Sequence, residues 1–404
     1  MPIFYAMGKL SKDSSFFLNF IRLLACQMVV LGHLLIYCYP PATGNAVLIG
    51  QMIATSGVIL FFIISGLLIS RSLLSKMDDG DYGFRSYLVD RFSRIYSGLV
   101  PCLVIITLAD LTLSYLNPDQ YLILSQNLNA PDLGHLGWNL MMLQQFDASF
   151  VTQMVGALGW SVPALDIPAY GFDLPLWTLA IEWWLYMLFG WVVIGWYARK
   201  RKNPFVFVLV LAALLIIIAG FMEQSIVLIA LWFVGVAITF LMSYSELRAW
   251  TRNDRWSLPI LLFILMTSIV GCVVRMVFAV TSANVLVDPI LALFLSMILF
   301  STLLILDNYR PGSESRATTE LPRRTFAFGA AYSYTLYLVH FPLLLLLDGA
   351  LTFLDKPLAM LKIFVAANLV SIPVAMFTEM RHRQLASWLK KKLNVHVSKP
   401  DPAP

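Results

Sequence analysis

Residues 16–39 read FFLNFIRLLACQMVVLGHLLIYCY, and this stretch decides the solvent for which the fold is built. A bilayer crossing needs about 20 predominantly apolar residues; the stretch meets that length with Arg22 and His33 as its chief interruptions. It is too long for the apolar region of a cleavable signal peptide, and residues 1–15 before it are polar and mixed. The segment is therefore expected to remain as an anchor.

The same signal recurs along the chain. Apolar stretches at 46–70, 95–116, 174–197, 205–222, 225–243, 258–280, 287–306, 327–347 and 359–380 bring the expected spans to ten. Pro175, Pro259 and Pro289 fall in first turns, where a missing N–H costs no helical bond. The pair 205–222 and 225–243 is joined so tightly that its division is the weakest of the set. The whole chain is 59% hydrophobic and 13% charged, against about 45–50% apolar and 25% charged in a globular domain. Polar groups are too few to cover its apolar surface in water. The predicted fold is all-α and polytopic, with about ten transmembrane helices.

Lysine and arginine set the orientation. With both termini inside, the inner segments 1–15, 71–94, 198–204, 244–257, 307–326 and 381–404 hold 24 of the 28 Lys and Arg residues. The outer loops hold Lys356 alone, and none occurs from Ile95 through Ala198. This distribution follows the positive-inside rule. Residues 1–380 read as one transmembrane domain with a large outer loop at 117–173, whose Gly137–Phe146 portion is apolar enough to dip into the interface. Residues 381–404 read as a basic cytoplasmic tail, suited either to an anionic inner leaflet or to topology alone.

Several function classes lose support. There is no basic stripe interleaved with exposed aromatics, so no nucleic-acid partner is expected. Cys26, Cys38, Cys102 and Cys272 lie within or beside apolar segments without zinc or disulfide spacing, and read as packing residues. No P-loop, dinucleotide fingerprint or zincin spacing is present, and no metal is expected.

An ionisable residue within a span costs several kcal/mol unless it meets a partner or a cavity. Those here are Arg22, His33, Glu182, Arg275 and His340, while Asp110 and Glu379 sit nearer span ends. Counted at about 1.5 Å per residue, His33, Glu182, Arg275 and His340 share a layer about 8–12 Å beneath the outer surface. A shared polar chamber is expected there, with a structural hydrogen-bond network as the plainer reading. Arg22 and His33 are eleven residues apart; at about 100° per residue that is three turns plus about 20°. They therefore share one helix face, about 16 Å apart. An arginine on the inner side suits the phosphates of a cytoplasmic cofactor. A histidine above it suits proton abstraction from an acceptor arriving from outside.

These residues resemble a known pattern. The run from Arg22 to His33 is similar to the Arg-x10-His signature of the acyltransferase family 3 membrane proteins. Gly57–Val58 and Leu60 through Phe61-Phe62-Ile63-Ile64-Ser65-Gly66 resemble the second-helix motif of that family. Arg91-Phe92-Ser93-Arg94 resembles its cytoplasmic Arg-x-x-Arg, Leu176-Trp177-Thr178-Leu179-Ala180-Ile181-Glu182 its W-x-L-x-x-E run, and Ser333-Tyr334-Thr335-Leu336-Tyr337-Leu338-Val339-His340 its SYxxYLxH run. Five motifs occur in the family's order between Arg22 and His340.

The resemblance implies transfer of an acyl group, commonly acetyl, from cytoplasmic acyl-CoA to a hydroxyl of a surface polysaccharide or lipid-linked glycan. It places the protein in a bacterial inner membrane, with lipid around it and its oligomeric state open. His33 then carries the catalytic role, with Glu182 as the carboxylate expected to orient it. Arg22, Arg91, Arg94 and Ser65 are candidates for the acyl-CoA, and Arg275, His340, Trp177 and Tyr337 for the acceptor. The chain departs from the pattern at Ile59, where the family often has an acid, and at Glu379-Met380-Arg381, which lacks the proline of E-x-P. No specific role is expected for Glu379. No appended soluble esterase-like domain is expected.

The rival class is a secondary transporter or flippase. Such proteins often carry two halves with matching interrupted helices, and no such repeat is visible. Nor does transport account for Arg91 and Arg94 beside Arg22. A catalytically dead scaffold would leave the ionisable residues unexplained. Binding or hydrolysis of acyl-CoA separates the classes.

Overall fold

The computed structural model of the protein describes residues 10–39, 44–77, 81–127, 132–147, 167–171, 173–197, 204–282, 288–308, 320–351 and 355–395, with isolated residues 149, 152 and 156. Most of the expected outer loop between 148 and 166, and the end of the tail from 396, lie outside the described residues.

The chain is an all-α polytopic membrane protein. Its helices are α1 Lys12–Cys38, α2 Gly44–Lys76, α3 Phe84–Leu116, α4 Pro118–Asn127, α5 Leu133–Leu140, α6 Trp177–Tyr197, α7 Pro204–Ala219, α8 Met222–Ser243, α9 Ser245–Asn253, α10 Ser257–Ser282, α11 Pro289–Asn308, α12 Glu320–Ala350, α13 Lys356–Phe377 and α14 His382–Lys392. Among the described residues, nine helical stretches are long and apolar enough to cross a membrane, and α7 is a shorter apolar helix of 16 residues. The uncertain division near residue 223 is a turn at Gly220–Phe221 between α7 and α8. Helix α3 begins at Phe84 rather than at 95. Hydropathy falls across Arg85–Arg94, but arginine, leucine and tyrosine do not break a helix, so the charged turns continue the span.

Contacts group the described residues into two compact units, one of those up to Asp78 with Ala230–Ser333, the other of Asp79–Ile229 with those from Tyr334 to Val395.

In the first unit, α1 and α2 cross where side chains are smallest. A Cβ at Gly32 would lie 2.5 Å from the Gly50 carbonyl oxygen, one at Gly50 would lie 2.7 Å from that of Gly32, and one at Gly57 would lie 2.6 Å from that of Ala25. Small residues let helix backbones approach in this way where no water-driven force gathers them. Further along α2, Gly66 lies against α8, with a Cβ position 1.9 Å from the Trp232 carbonyl oxygen. The start of α1 is capped by Ser11, whose hydroxyl accepts the Ser14 N–H at 3.0 Å. Asp307 at the end of α11 accepts from the Ser14 hydroxyl at 2.6 Å, and Asp13 pairs with Arg323 at 2.8 Å.

In the second unit, Tyr87 of α3 packs its ring against Gly190 of α6 and donates its hydroxyl to the Tyr186 carbonyl at 3.0 Å. Pro342 within α12 has no N–H, so the Leu338 carbonyl one turn back lacks its helical donor. The Cys102 thiol donates to it at 3.0 Å. All four cysteines are buried and unbridged, as their packing role requires.

The outer segment does more than touch the interface. The Tyr96 hydroxyl of α3 donates to the Leu140 carbonyl at 2.6 Å, and the Trp184 indole of α6 donates to the Met142 carbonyl at 2.7 Å. Trp184 is seven residues inside α6, about 10 Å along its axis. Irregular backbone at such depth is tolerated when protein encloses it, and Met142 and Gln144 are fully buried. Met142 and Gln145 both take a φ of 59°, a left-handed conformation that costs non-glycine residues energy.

Candidate active site

Arg22 and His33 stand on the single unbroken α1, and both are half-buried. The glycine crossings hold the rotation of this helix against α2: Gly32 precedes His33, and Ala25, facing Gly57, is three residues past Arg22. His33 stacks edge-on with Tyr37 at 6.4 Å. Ser65 accepts a hydrogen bond from the Trp232 indole at 3.2 Å, beside the close approach at Gly66. Its hydroxyl thus helps to join α2 to α8. Arg275 pairs with Asp288, which directly precedes α11, and its guanidinium lies 5.0 Å from the Phe278 ring. These four candidates belong to the first unit.

The other six belong to the second. Arg94 is the most firmly placed. Its Nη2 lies 2.8 Å from Glu379 Oε1, and its guanidinium lies 5.7 Å from the centre of the Tyr334 ring. Glu379 is fully buried, and its Oε2 accepts from both the backbone N–H and the hydroxyl of Thr335, at 2.9 and 2.8 Å. Tyr334 completes the cluster by donating its hydroxyl to the Ile95 carbonyl at 3.0 Å. Glu379 therefore has a specific structural role that the missing proline concealed. The proline stiffens only the local backbone, whereas the role rests on the carboxylate. Arg91 packs its guanidinium over Tyr87 at 5.6 Å.

The W-x-L-x-x-E and SYxxYLxH runs also come together. Tyr337 and Thr178 share a hydroxyl–hydroxyl bond of 2.7 Å, and the Tyr337 hydroxyl donates to the Pro175 carbonyl at 3.2 Å. This holds the first turn of α6, where Trp177 begins the helix, against α12. Glu182, one turn further in and half-buried, is within electrostatic reach of Tyr334. His340 is buried, with Nδ1 2.7 Å from the Tyr337 carbonyl and 3.2 Å from that of Leu336. A carbonyl only accepts, so Nδ1 carries the proton.

One buried acid lay outside the sequence reading. Asp173 is fully buried just before α6, with the Cys102 thiol 4.0 Å from its Oδ2. Burial, reinforced by the nearby Asp110 carboxylate, raises its pKa well above the ordinary carboxylate range. It closes the outer loop expected at 117–173, a position that does not announce burial, yet it is wholly removed from water.

Among the described residues, no group of three or more His, Cys, Asp or Glu side chains forms a metal site. The candidate residues themselves offer histidine, carboxylate and guanidinium groups, suited to proton transfer and to binding of an anionic partner. Comparison with curated proteins gave no match, and comparison with solved structures gave none either. A family model described as an acyltransferase domain matches residues 15–378. That span includes all five motifs and all ten candidate residues, so the chain belongs to acyltransferase family 3 and is a membrane-bound acyltransferase.

Proposed function

We propose that the protein moves an acyl group, acetyl in the simplest case, from cytoplasmic acyl-CoA to a hydroxyl of a surface polysaccharide or lipid-linked glycan. The setting is a bacterial inner membrane. The observation that carries this reading is Arg22 and His33 on one continuous helix, held in register by three glycine contacts, within a chain that belongs to an acyltransferase family.

In this reading His33 takes the proton of the acceptor hydroxyl while that oxygen attacks the thioester carbonyl carbon. The tetrahedral intermediate collapses with loss of the C–S bond, and the proton passes to the departing CoA thiolate. Glu182 is the carboxylate that supports the imidazolium. Arg22, Arg91 and Arg94 bind donor phosphates, for which forked guanidinium donors are suited; Ser65 supports that side through α2. Arg275, Trp177, Tyr337 and His340 are assigned to the acceptor side.

The test is direct. Purified protein in nanodiscs is given acetyl-CoA labelled in the acyl group and lipid-linked glycans from the parent strain, and the products are analysed by mass spectrometry. Acyl mass on the glycan with release of free CoA supports the reading. Donor turnover at the background rate with every glycan fraction, alongside glycans of unchanged mass in a deletion strain, overturns it.

A further inference from the structure

Around Glu379 the second unit gathers more positive charge than its donor motif supplies. The side chain of Glu379 holds Arg94, and its backbone carbonyl accepts from His382 Nδ1 at 2.7 Å. His382 begins α14 and lies within electrostatic reach of Arg94, Arg383 and Arg91. Three guanidinium groups thus lie within electrostatic reach of the His382 imidazole, beside the Glu379 carboxylate that pairs with Arg94. That carboxylate is already engaged by Thr335 and Arg94.

Helix α14 is anchored rather than loose. Lys390, near its far end, is buried and pairs with Asp90 of α3 at 2.7 Å, one turn before Arg94. Tyr82 donates its hydroxyl to the same carboxylate at 3.0 Å. This pins α14 along the Arg-x-x-Arg turn of α3, so the helix forms a wall of the basic cluster. Arg383 remains exposed, His382 half-buried and Arg94 26% exposed. With Nδ1 donating to the Glu379 carbonyl, Nε2 of the neutral ring is an acceptor; it donates to a phosphate oxygen as the imidazolium, the form that an arriving phosphate dianion favours. Like charges are costly to gather, and three arginines beside two carboxylates that are already engaged, Glu379 by Arg94 and Asp90 by Lys390, favour an anion carrying more than one phosphate.

We propose that α14 completes the donor site, His382 and Arg383 joining Arg91 and Arg94 in binding the phosphate groups of the acyl-CoA. The proposal rests on the acyl-CoA reading above. Phosphate chemistry has a second source in anionic lipid headgroups, and the experiment separates the two.

Binding of CoA, dephospho-CoA and phosphatidylglycerol vesicles is measured on full-length protein for the parent, Arg383→Gln, His382→Gln and Lys392→Gln. Lys392 lies at the far end of α14 over the Trp388 ring and serves as the charge-matched control. Arg383→Lys keeps the charge without the fork, and a thermal melt of each variant confirms folding. The expected result is a loss of about tenfold in CoA affinity for Arg383→Gln and His382→Gln, the scale of one charge-assisted hydrogen bond. Lys392→Gln is unchanged, Arg383→Lys is intermediate, and the salt dependence of CoA binding is shallower for Arg383→Gln. If the parent binds CoA and the folded Arg383 and His382 variants bind it equally well, the extension to α14 is overturned while the donor reading stands. Equal losses of vesicle binding in Arg383→Gln and Lys392→Gln, with CoA binding intact, assign the helix to lipid and overturn it also. A parent that binds no CoA overturns the donor reading itself.

Discussion

Glu379 and Arg94 meet at 2.8 Å, the carboxylate wholly removed from solvent and the guanidinium 26% exposed. The acid follows the end of α13 and the base lies within α3, so this one contact ties together two helices distant in sequence. Breaking a buried pair from one side leaves an uncompensated charge, which costs about 3–5 kcal/mol when both partners are buried. Solvent at Arg94 places the cost here at the lower end, about 3 kcal/mol. Glu379→Gln and Arg94→Gln should each destabilise the protein, and the double variant should lose less than the two combined. A double-mutant cycle from unfolding in detergent measures the coupling; strict additivity would show that the contact carries no energy.

Glycine substitutions should divide sharply by position. A methyl group at Gly66 has no room before the Trp232 carbonyl, whereas at Gly137 nothing lies within 4 Å. Overpacking typically costs about 1–3 kcal/mol, and more where backbone must move. Gly66→Ala should lower thermal stability and yield by at least that scale, and Gly137→Ala should melt with the parent. Matching melts for both variants would contradict the close crossing of α2 and α8.

Asp173 gives the protein a stability that depends on pH. Its folded pKa is raised by burial first and by Asp110 second, with the Cys102 thiol as its other titratable neighbour. The unfolded value is about 3.9. A raised pKa contributes stability that is complete below the unfolded value and is lost as pH climbs through the folded one. Asp173→Asn keeps a neutral side chain at every pH. The variant should therefore melt above the parent at pH 8–9, with the gap closing toward acid. A gap independent of pH would mean that the carboxyl is not the titrating group.

His33→Ala should insert and fold but lose acyl transfer by about 10² to 10⁴, the usual contribution of a general base. Glu182→Gln preserves shape and removes charge, and should lower the maximal rate while leaving CoA affinity unchanged. Single-turnover and equilibrium binding measurements on the same preparations separate the two effects. A Glu182→Gln enzyme with full maximal rate and weakened acceptor affinity would move Glu182 to the acceptor side.

Much of the architecture was legible along the chain. Ten apolar stretches correspond to ten helices, although α3 begins eleven residues earlier than hydropathy alone suggests. Periodicity sufficed to place Arg22 and His33 on one face, because α1 continues unbroken through both. Partners were not legible. Ser65 meets Trp232, Arg275 meets Asp288, and Glu379 meets Arg94 and Thr335, and none of these pairings follows from spacing. The burial of Asp173 was hidden as well, since nothing in the spacing of a residue that closes a loop tells which neighbours will cover it.

The sequence by itself determined the solvent, the class of fold, the order of the helices and the family. The first three follow from local composition and period, because every backbone group in lipid must be satisfied within its own segment; the family rests on the five ordered motifs between Arg22 and His340. Tertiary structure alone decided which buried charges meet and which helix faces turn inward. Lipid and protein interior are equally apolar, so hydropathy does not distinguish the two faces of a span. The position of α14 was decided in the same way: its basic composition suits a membrane surface, yet the Lys390–Asp90 contact holds it against α3.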